Sequence, residues 1–139
     1  MCTSFKVALL NGEMDFSSDT SQSFKIALYT SSATLNAETT AYSTTNETSG
    51  TGYTAGGNTL TIATNPTNDT SSTVAYLDFS DTTWTSSSIT ARGALIYKTG
   101  GTTPAVAVLD FGSDKTSSDS TFTVTFPTSA VTSAIIRIA

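Results

Sequence analysis

From residue 23 onward, hydrophobic and polar residues alternate with a period of two, in short runs separated by Ser, Thr, Gly, Asn and Asp. In the first run, Phe24, Ile26 and Leu28 fall on one face, which we expect to be core. Lys25, Ala27 and Tyr29 fall on the other face, which we expect to be wetter. The pattern predicts strands at Phe24-Tyr29, Asn58-Ala63, Val74-Phe79, Ile89-Tyr97 with a break near Gly93, Ala105-Phe111, Phe122-Phe126 and Ala134-Ile138.

These runs predict an all-β fold, because antiparallel sheets with one buried face produce this alternation. We expect an antiparallel β-sandwich of about seven or eight strands, either jelly-roll or immunoglobulin-like. In the run Phe122-Phe126 the apolar residues point inward, and Thr121, Thr123 and Thr125 point outward. The runs VAYLDF (74–79) and VAVLDF (106–111) have similar sequences, and we expect them at equivalent places in two packed sheets.

Residues 1–20 differ from the rest because they hold both methionines and the single cysteine. Val7, Leu10 and Met14 have helical spacing, which predicts one or two helical turns that end at Gly12. The chain therefore divides into an N-terminal arm (1–20) and a β-sandwich domain (21–139). The arm either covers one end of the core or reaches a neighbouring subunit. The predicted subunit or capsid contacts are Phe5, Val7, Leu10, Met14, Phe16, Ile136 and Ile138.

The segment Thr39-Gly57 has no clear strand pattern and is expected to project as a loop. Gly50 and Gly52 permit a tight bend there, since glycine adopts conformations that other residues avoid. Tyr42 and Tyr53 have two open interpretations. They either serve as recognition aromatics or cover the sandwich.

The sequence offers little catalytic chemistry. It has no histidine, which removes the usual general base and the commonest metal ligand, and Cys2 has no histidine to activate it. Four aspartates at matched places near strand ends are interpreted as turn-forming residues rather than calcium ligands. These are Asp78, Asp81, Asp110 and Asp114. We expect no enzymatic activity, no cofactor and no metal.

Four further residues carry structural predictions. Trp84 is interpreted as a core side chain rather than a sugar platform. Arg92 and Arg137 flank apolar strands, and each is expected to pair with an aspartate from a neighbouring strand or subunit. Gly93 lies within a predicted strand, which indicates a bulge or a close approach of two backbones.

The surface is predicted to be hydroxyl-rich and weakly charged. The chain has 30 Thr and 21 Ser among 139 residues, and its 6 basic and 11 acidic side chains give a formal net charge of −5. Its basic residues are scattered singly, so counterion release favours nucleic-acid binding little, and no nucleic-acid partner is expected. No apolar run is long enough for a membrane helix and no signal peptide is recognised, so no membrane partner is expected.

Five segments carry a resemblance to a known group. They are FKIALYTSSATLN, NETSGTGYTAGGNTL, ARGALIYK, AVAVLDFGSDKT and AIIRI. Together they resemble small virion proteins of tailed bacteriophages, a group of structural, decoration and tail-fibre-like proteins. The elements NETSGTGY and LDFGSDKT are the most specific. The resemblance implies a particle component that self-associates and binds the virion, with no catalytic residues to transfer.

The expected function is that of a capsid decoration (cement) protein, located in the virion and assembled in the host cytoplasm. Its expected partners are further copies of the chain, as a homotrimer, and the major capsid protein or other virion proteins. Two alternatives stay open: a neck- or tail-associated adhesin or fibre component, and a non-viral carbohydrate-binding β module. In the adhesin, loop aromatics such as Tyr42, Tyr53 and Trp84 would contact host glycans.

Overall fold

A computed structural model describes residues 1–19 and 21–139 of the chain. Strands hold 44% of the residues and every strand pair is antiparallel, which confirms the predicted all-β, sandwich-like fold. The predicted domain boundary at residue 20 lies outside the described residues. The elements within them are α1 (Thr3–Leu10), β1 (Phe24–Tyr29), β2 (Asn58–Leu60), β3 (Ile62–Asn68), β4 (Ala75–Phe79), β5 (Thr82–Ser87), β6 (Thr90–Lys98), β7 (Ala105–Thr116), β8 (Ser120–Val124) and β9 (Ile136–Ile138).

The strands form a four-stranded sheet, a three-stranded sheet and a two-stranded ribbon, with the orders β2-β1-β6-β7, β3-β4-β9 and β5-β8. The ribbon lies beside β2, where the Asn58 side-chain amide donates to the Thr83 carbonyl at 2.8 Å. These two similar sequences lie in different sheets, as predicted, but their places are not equivalent. β4 is the central strand of its sheet, whereas β7 lies at an edge.

β1 is buried on both faces, not on one. Ala27 and Tyr29 lie on the face predicted to be wetter, yet they are only 0% and 2% exposed, so that prediction is wrong. The segment 30–57 covers this face, where the Tyr42 ring stacks on the Tyr97 ring of β6 with centroids 4.6 Å apart. A connecting segment thus adds a layer that a period-two pattern does not reveal.

β5 is a strand that the period-two runs do not predict, because its sequence TTWTSS contains a single large apolar residue. It pairs with β8, and Trp84 packs edge-on against Phe122 with ring centroids 6.0 Å apart. Trp84 is 3% exposed, which confirms its interpretation as a core side chain. In β8, Phe122 and Val124 are buried while Thr121 and Thr123 are exposed, as predicted.

β6 runs unbroken through Gly93, so the predicted break is wrong. The pairing with β7 shifts between Ala91 and Gly93, and a Cβ atom at Gly93 would lie 2.6 Å from the Leu109 carbonyl oxygen. The predicted bulge and close backbone approach are therefore both present. Beside the bulge, the Arg92 Nε atom lies 2.7 Å from Asp114 Oδ1 on β7, which confirms the predicted pairing with a neighbouring strand.

Helix α1 confirms the predicted helical turns in the arm but buries a different face. Phe5 and Ala8 are buried, whereas Val7 and Leu10 are 55% and 88% exposed. The helix ends at Leu10, and Gly12 follows with φ 72°, the left-handed conformation that glycine adopts readily after a helix. The predicted stop is therefore confirmed, and of the three residues with helical spacing only Met14 is buried.

Candidate functional site

An apolar groove lies between the N-terminal arm and the three-stranded sheet, with a volume of about 380 Å³. The arm contributes Phe5, Leu9, Met14 and Phe16 to its lining. The sheet contributes Pro66 of β3, Tyr76 and Leu77 of β4, and Ile136 and Ile138 of β9. We call this surface the apolar groove. Its walls are hydrocarbon and aromatic, so its chemistry is that of a binding surface for apolar groups.

Five of the seven predicted contact side chains line this groove. The structure therefore brings the arm and β9 together, although they are far apart in sequence. Four of the five are at most 7% exposed and belong to the chain's own core, which corrects the prediction that they serve first as subunit contacts. The four are Phe5, Met14, Phe16 and Ile136. They form the floor of the groove.

Aromatic packing holds the arm against the sheets behind the groove. The Phe16 ring stacks on the Phe24 ring of β1, with centroids 4.3 Å apart and planes 12° apart. Phe16 also meets Phe5 at 5.9 Å and Phe79 of β4 at 6.4 Å, in edge-on arrangements. Such pairs add to the stabilisation from buried area alone. The floor of the groove is thus built before any partner binds.

Large hydrophobic side chains that are strongly exposed concentrate around the arm and β9. Within the described residues they are Met1, Val7, Leu10 and Ile138. Val7 and Leu10 lie about one turn apart on the outer side of α1, and Lys6 shares that exposed side. We call these three residues the α1 ridge. Ile138 is 45% exposed and stands in the wall of the groove.

One carboxylate lies at the groove. Asp15 lines it, and its Oδ1 atom accepts hydrogen bonds from the Ser17 amide at 2.9 Å and the Ser17 hydroxyl at 2.7 Å. These bonds fix the orientation of the carboxylate. The arm is further tied to β6, where the Lys98 ammonium donates to the Glu13 carbonyl at 2.9 Å. The groove therefore combines apolar walls with one oriented negative charge.

The segment Thr39-Gly57 lies against the four-stranded sheet, where the Thr48 amide donates to the Leu28 carbonyl of β1 at 2.8 Å, so the predicted projecting loop is wrong. Within the segment, one carboxylate joins three other residues. The Glu47 carboxylate accepts hydrogen bonds from the Tyr42 hydroxyl at 2.6 Å, the Tyr53 hydroxyl at 2.7 Å and the Gly56 amide at 2.7 Å. We call these four residues the Glu47 cluster. Bonds to a charged acceptor are stronger than neutral ones. They offset the entropy lost when a long connection is ordered.

The tyrosines of this region are protonated donors with their hydroxyls engaged. Burial first, and then the neighbouring Glu47 carboxylate, raises the pKa of both Tyr42 and Tyr53 well above its usual value. Burial also raises the pKa of Tyr29 to about 12. The Tyr53 oxygen accepts the Leu28 amide at 2.9 Å, which satisfies β1 beyond the end of its pairing with β2. The covering interpretation of Tyr42 and Tyr53 is therefore the one that the contacts support.

Gly50 and Gly52 press this segment against the end of β5. Their φ angles are 144° and 78°, and between them Thr51 forms a bridge with Ser88. A Cβ atom would lie 2.2 Å from the Ser88 carbonyl oxygen at Gly50 and 2.9 Å from the Ser86 carbonyl oxygen at Gly52. Both glycines are thus needed for a close backbone approach. They do not form the tip of an exposed loop.

The four aspartates that occupy matched places in the sequence do not share one role, and the partners of three of them differ from one another. Asp110 accepts the amide of Gly112 at 2.8 Å, which is the predicted turn-forming bond. Asp81 instead accepts the amide of Phe126, 45 residues further along, at 2.8 Å. Asp114 pairs with an arginine of β6, as described above. The turn-forming interpretation is therefore right for Asp110 and wrong for Asp81 and Asp114.

Asp78 and Arg137 also have local partners. Asp78 is 2% exposed and accepts the Phe79 amide at 2.9 Å, and burial raises the pKa of its carboxyl group. Arg137 donates to the carbonyls of Val131 at 3.3 Å and Thr132 at 2.8 Å. Its predicted partner was an aspartate of a neighbouring strand or subunit. Within the described chain it binds carbonyls instead.

The metal, thiol and membrane features of the described part of the chain are as follows. In residues 1–19 and 21–139, no three His, Cys, Asp or Glu side chains are grouped so as to hold a metal ion. Cys2 is buried, and burial raises the pKa of its thiol. No helix in that part of the chain has the length and apolar character needed to cross a membrane.

Leu9 and Tyr76 line the groove but were not among the predicted contacts. Phe5 and Leu9 are four residues apart, so they share one face of a helix, and this spacing would have identified the inner face of α1. Tyr76 lies in the predicted strand Val74-Phe79, but which strand stands beside the arm is decided by tertiary packing. Its place at the groove therefore has no local signal in the sequence.

Comparisons of this chain with protein-family models, with curated proteins and with solved structures found no match. Its fold and its site define a small all-β protein that carries an apolar groove between an N-terminal arm and a sheet.

Proposed function

We propose that this chain is a non-enzymatic structural protein of a bacteriophage particle, a decoration protein bound to the outside of the head. The observation that carries the proposal is the apolar groove, with the exposed Ile138 side chain in its wall and the exposed Val7 and Leu10 side chains on the outer side of α1. Protein association is driven mainly by burial of such apolar surface, at about 25 cal/mol per Å². The resemblance of the sequence to phage virion proteins is the reason for assigning the chain to a phage particle.

The rest of the surface supports an assembly role over a charge-driven one. Only 12% of the residues are charged, and the outward positions of β8 hold threonines. An attachment that depends on apolar burial persists at high salt, because salt screens charges and leaves apolar burial in place. We therefore expect binding to the particle to tolerate salt.

Carbohydrate binding through the predicted aromatics is the weaker candidate. Trp84 is 3% exposed, so its ring is not open for stacking on a sugar. Tyr42 and Tyr53 use their hydroxyls within the Glu47 cluster. The adhesin alternative depends on these rings, and their contacts within the chain do not favour it.

The test is the location and number of copies of this chain in purified particles of the phage that encodes it. Electron cryomicroscopy of the intact particle should show density for the chain over the whole head surface, in a number set by the head lattice. Washing the particles at high salt should leave that density in place. A few copies at the neck or tail would contradict the head assignment, and absence from the particle would contradict the proposal entirely.

A further inference from the structure

Two apolar surfaces of this chain lie on opposite sides of the same helix. Phe5 and Leu9 point from α1 into the apolar groove, whereas Val7 and Leu10 point outward in the α1 ridge. The ridge is convex and the groove is concave. A helix of one copy cannot place its ridge in its own groove, so any contact between the two surfaces joins two copies.

We propose that the apolar groove of one copy receives the α1 ridge of a second copy. The most exposed large apolar side chain of the described residues, Leu10 at 88%, then enters the largest apolar recess that adjoins the arm. An apolar helix face that lies in an apolar groove is a common mode of protein recognition. Ile138 stands in the groove wall, so part of its exposed surface would be covered by the incoming helix.

Charge complementarity supports a second copy as the occupant. Lys6 lies on the exposed side of α1 with Val7 and Leu10, and Asp15 lies at the groove. When the ridge of the second copy enters the groove, the Lys6 ammonium group of that copy approaches the Asp15 carboxylate of the groove lining. Copies of a chain with a net charge of −5 repel each other overall, and this pair opposes the repulsion where they meet.

The contact is heterologous, because it uses different surfaces on the two partners. A pair of copies leaves one ridge and one groove unfilled, whereas a closed ring fills them all. A ring of three would satisfy the homotrimer predicted from the sequence. The inference deepens the proposed function by naming the partner of the groove, and it can be tested without any particle.

The first measurement is the mass of the full chain in solution by sedimentation velocity over a range of concentrations. Leu10→Asp should disable the ridge, and Ile138→Glu should disable the groove. Each is expected to raise the dissociation constant more than about tenfold, as replacement of a central buried side chain does. Thr123→Asp, at an exposed position outside the groove, is the matched control and should leave association unchanged.

The second measurement mixes the two defective variants in equal amounts. Leu10→Asp retains an intact groove and Ile138→Glu retains an intact ridge, so the mixture should form a dimer that neither variant forms alone. Because Ile138 lies in the short strand β9, Ala75→Glu on β4, also in the lining, serves as a second groove variant. Unchanged circular dichroism of each variant verifies that it is folded.

The inference is overturned if the unmodified chain stays monomeric at all concentrations. It is equally overturned if the mixed variants stay monomeric, or if Thr123→Asp disrupts association as strongly as Leu10→Asp. Loss of particle binding by Leu10→Asp with no change in oligomeric state would assign the α1 ridge to a contact with another protein and overturn the inference. A ring that forms in solution but never binds a particle would support the inference and contradict the proposed function.

Discussion

The Glu47 cluster and the apolar groove are two regions in which segments outside the sheets are packed in different ways. At the Glu47 cluster, three donors converge on one carboxylate at 2.6 to 2.7 Å, so the contact is directional and complete. At the groove the contacts are apolar, without direction, and leave a cavity of about 380 Å³. The first region has its bonding capacity used within the chain. The second retains surface that another molecule can bury.

The two regions also differ in the free energy required for a partner molecule to bind. A molecule that approaches the Glu47 cluster must compete with charge-assisted hydrogen bonds, each of which contributes about 1.5 to 3 kcal/mol. A molecule that enters the groove displaces only water from hydrocarbon. Aromatic residues in a predicted loop are therefore poor indicators of a binding site when their hydroxyls are hydrogen-bonded within the chain. An apolar recess is a better indicator.

The largest expected effect is at the floor of the groove. Phe16→Ala removes the ring that stacks on Phe24 and contacts both Phe5 and Phe79. We expect the free energy of unfolding to fall by about 3 to 5 kcal/mol, since a large cavity replaces a buried ring. Chemical denaturation monitored by circular dichroism measures this change.

The matched comparison for Phe16 is Leu10→Ala on the α1 ridge. Leu10 is 88% exposed, so its truncation should change the unfolding free energy of the monomer by no more than about 0.5 kcal/mol. An equal loss of stability in the two variants would show that the ridge and the floor are not distinct surfaces.

The next largest effect is expected at the Glu47 cluster. Glu47→Ala leaves the hydroxyls of Tyr42 and Tyr53 without their acceptor, and we expect a loss of about 2 to 4 kcal/mol in the free energy of unfolding. Urea denaturation at neutral pH gives the value. Glu38→Ala is the control, because the exposed Glu38 side chain accepts a single bond from Thr3 at 3.2 Å. A Glu47 variant as stable as the Glu38 variant would argue against a stabilising role for the cluster.

A loss of stability is also expected at alkaline pH. Tyr29 has its pKa raised to about 12, whereas a tyrosine of the unfolded chain titrates near 10. Below about pH 10 both states keep the proton and the stabilisation is complete. Above it only the unfolded chain loses the proton, so the free energy of unfolding should fall by up to about 1.4 kcal/mol per pH unit for this residue.

Urea denaturation repeated from neutral to alkaline pH measures this decline. Tyr29→Phe removes one titrating hydroxyl and should make the decline shallower, although it also removes the bond to the Ser43 carbonyl at 2.6 Å. A free energy of unfolding that stays constant across the titration of free tyrosine would contradict the prediction.

The all-β class and six of the strands could be predicted because each has enough alternating apolar residues to define a face. The predicted run Asn58-Ala63 covers β2 and only the first two residues of β3, which continues to Asn68. β5 was missed because pairing with β8 and burial of Trp84 define it, and its own sequence is hydroxyl-rich. Tertiary pairing overrides local propensity at such positions.

The candidate site was only partly accessible from the sequence for a related reason. Its residues were identified as apolar and belonging to the arm and β9, but the helix phase was read from Val7, Leu10 and Met14. The buried face of the helix instead contains Phe5 and Ala8, whereas Val7 and Leu10 are exposed. A short helix offers too few turns for its period to be read uniquely.

The groove also has a consequence for the order of folding during synthesis. Ile136 follows Phe16 by 120 residues, and the two walls of the groove come from those distant segments. While the chain is being translated, the phenylalanines of the arm have no β9 to pack against, and contacts of such large sequence separation form slowly. The groove is completed only when β9 has been made and docked. A chain truncated before β9 therefore carries the α1 ridge but lacks one wall of the apolar groove.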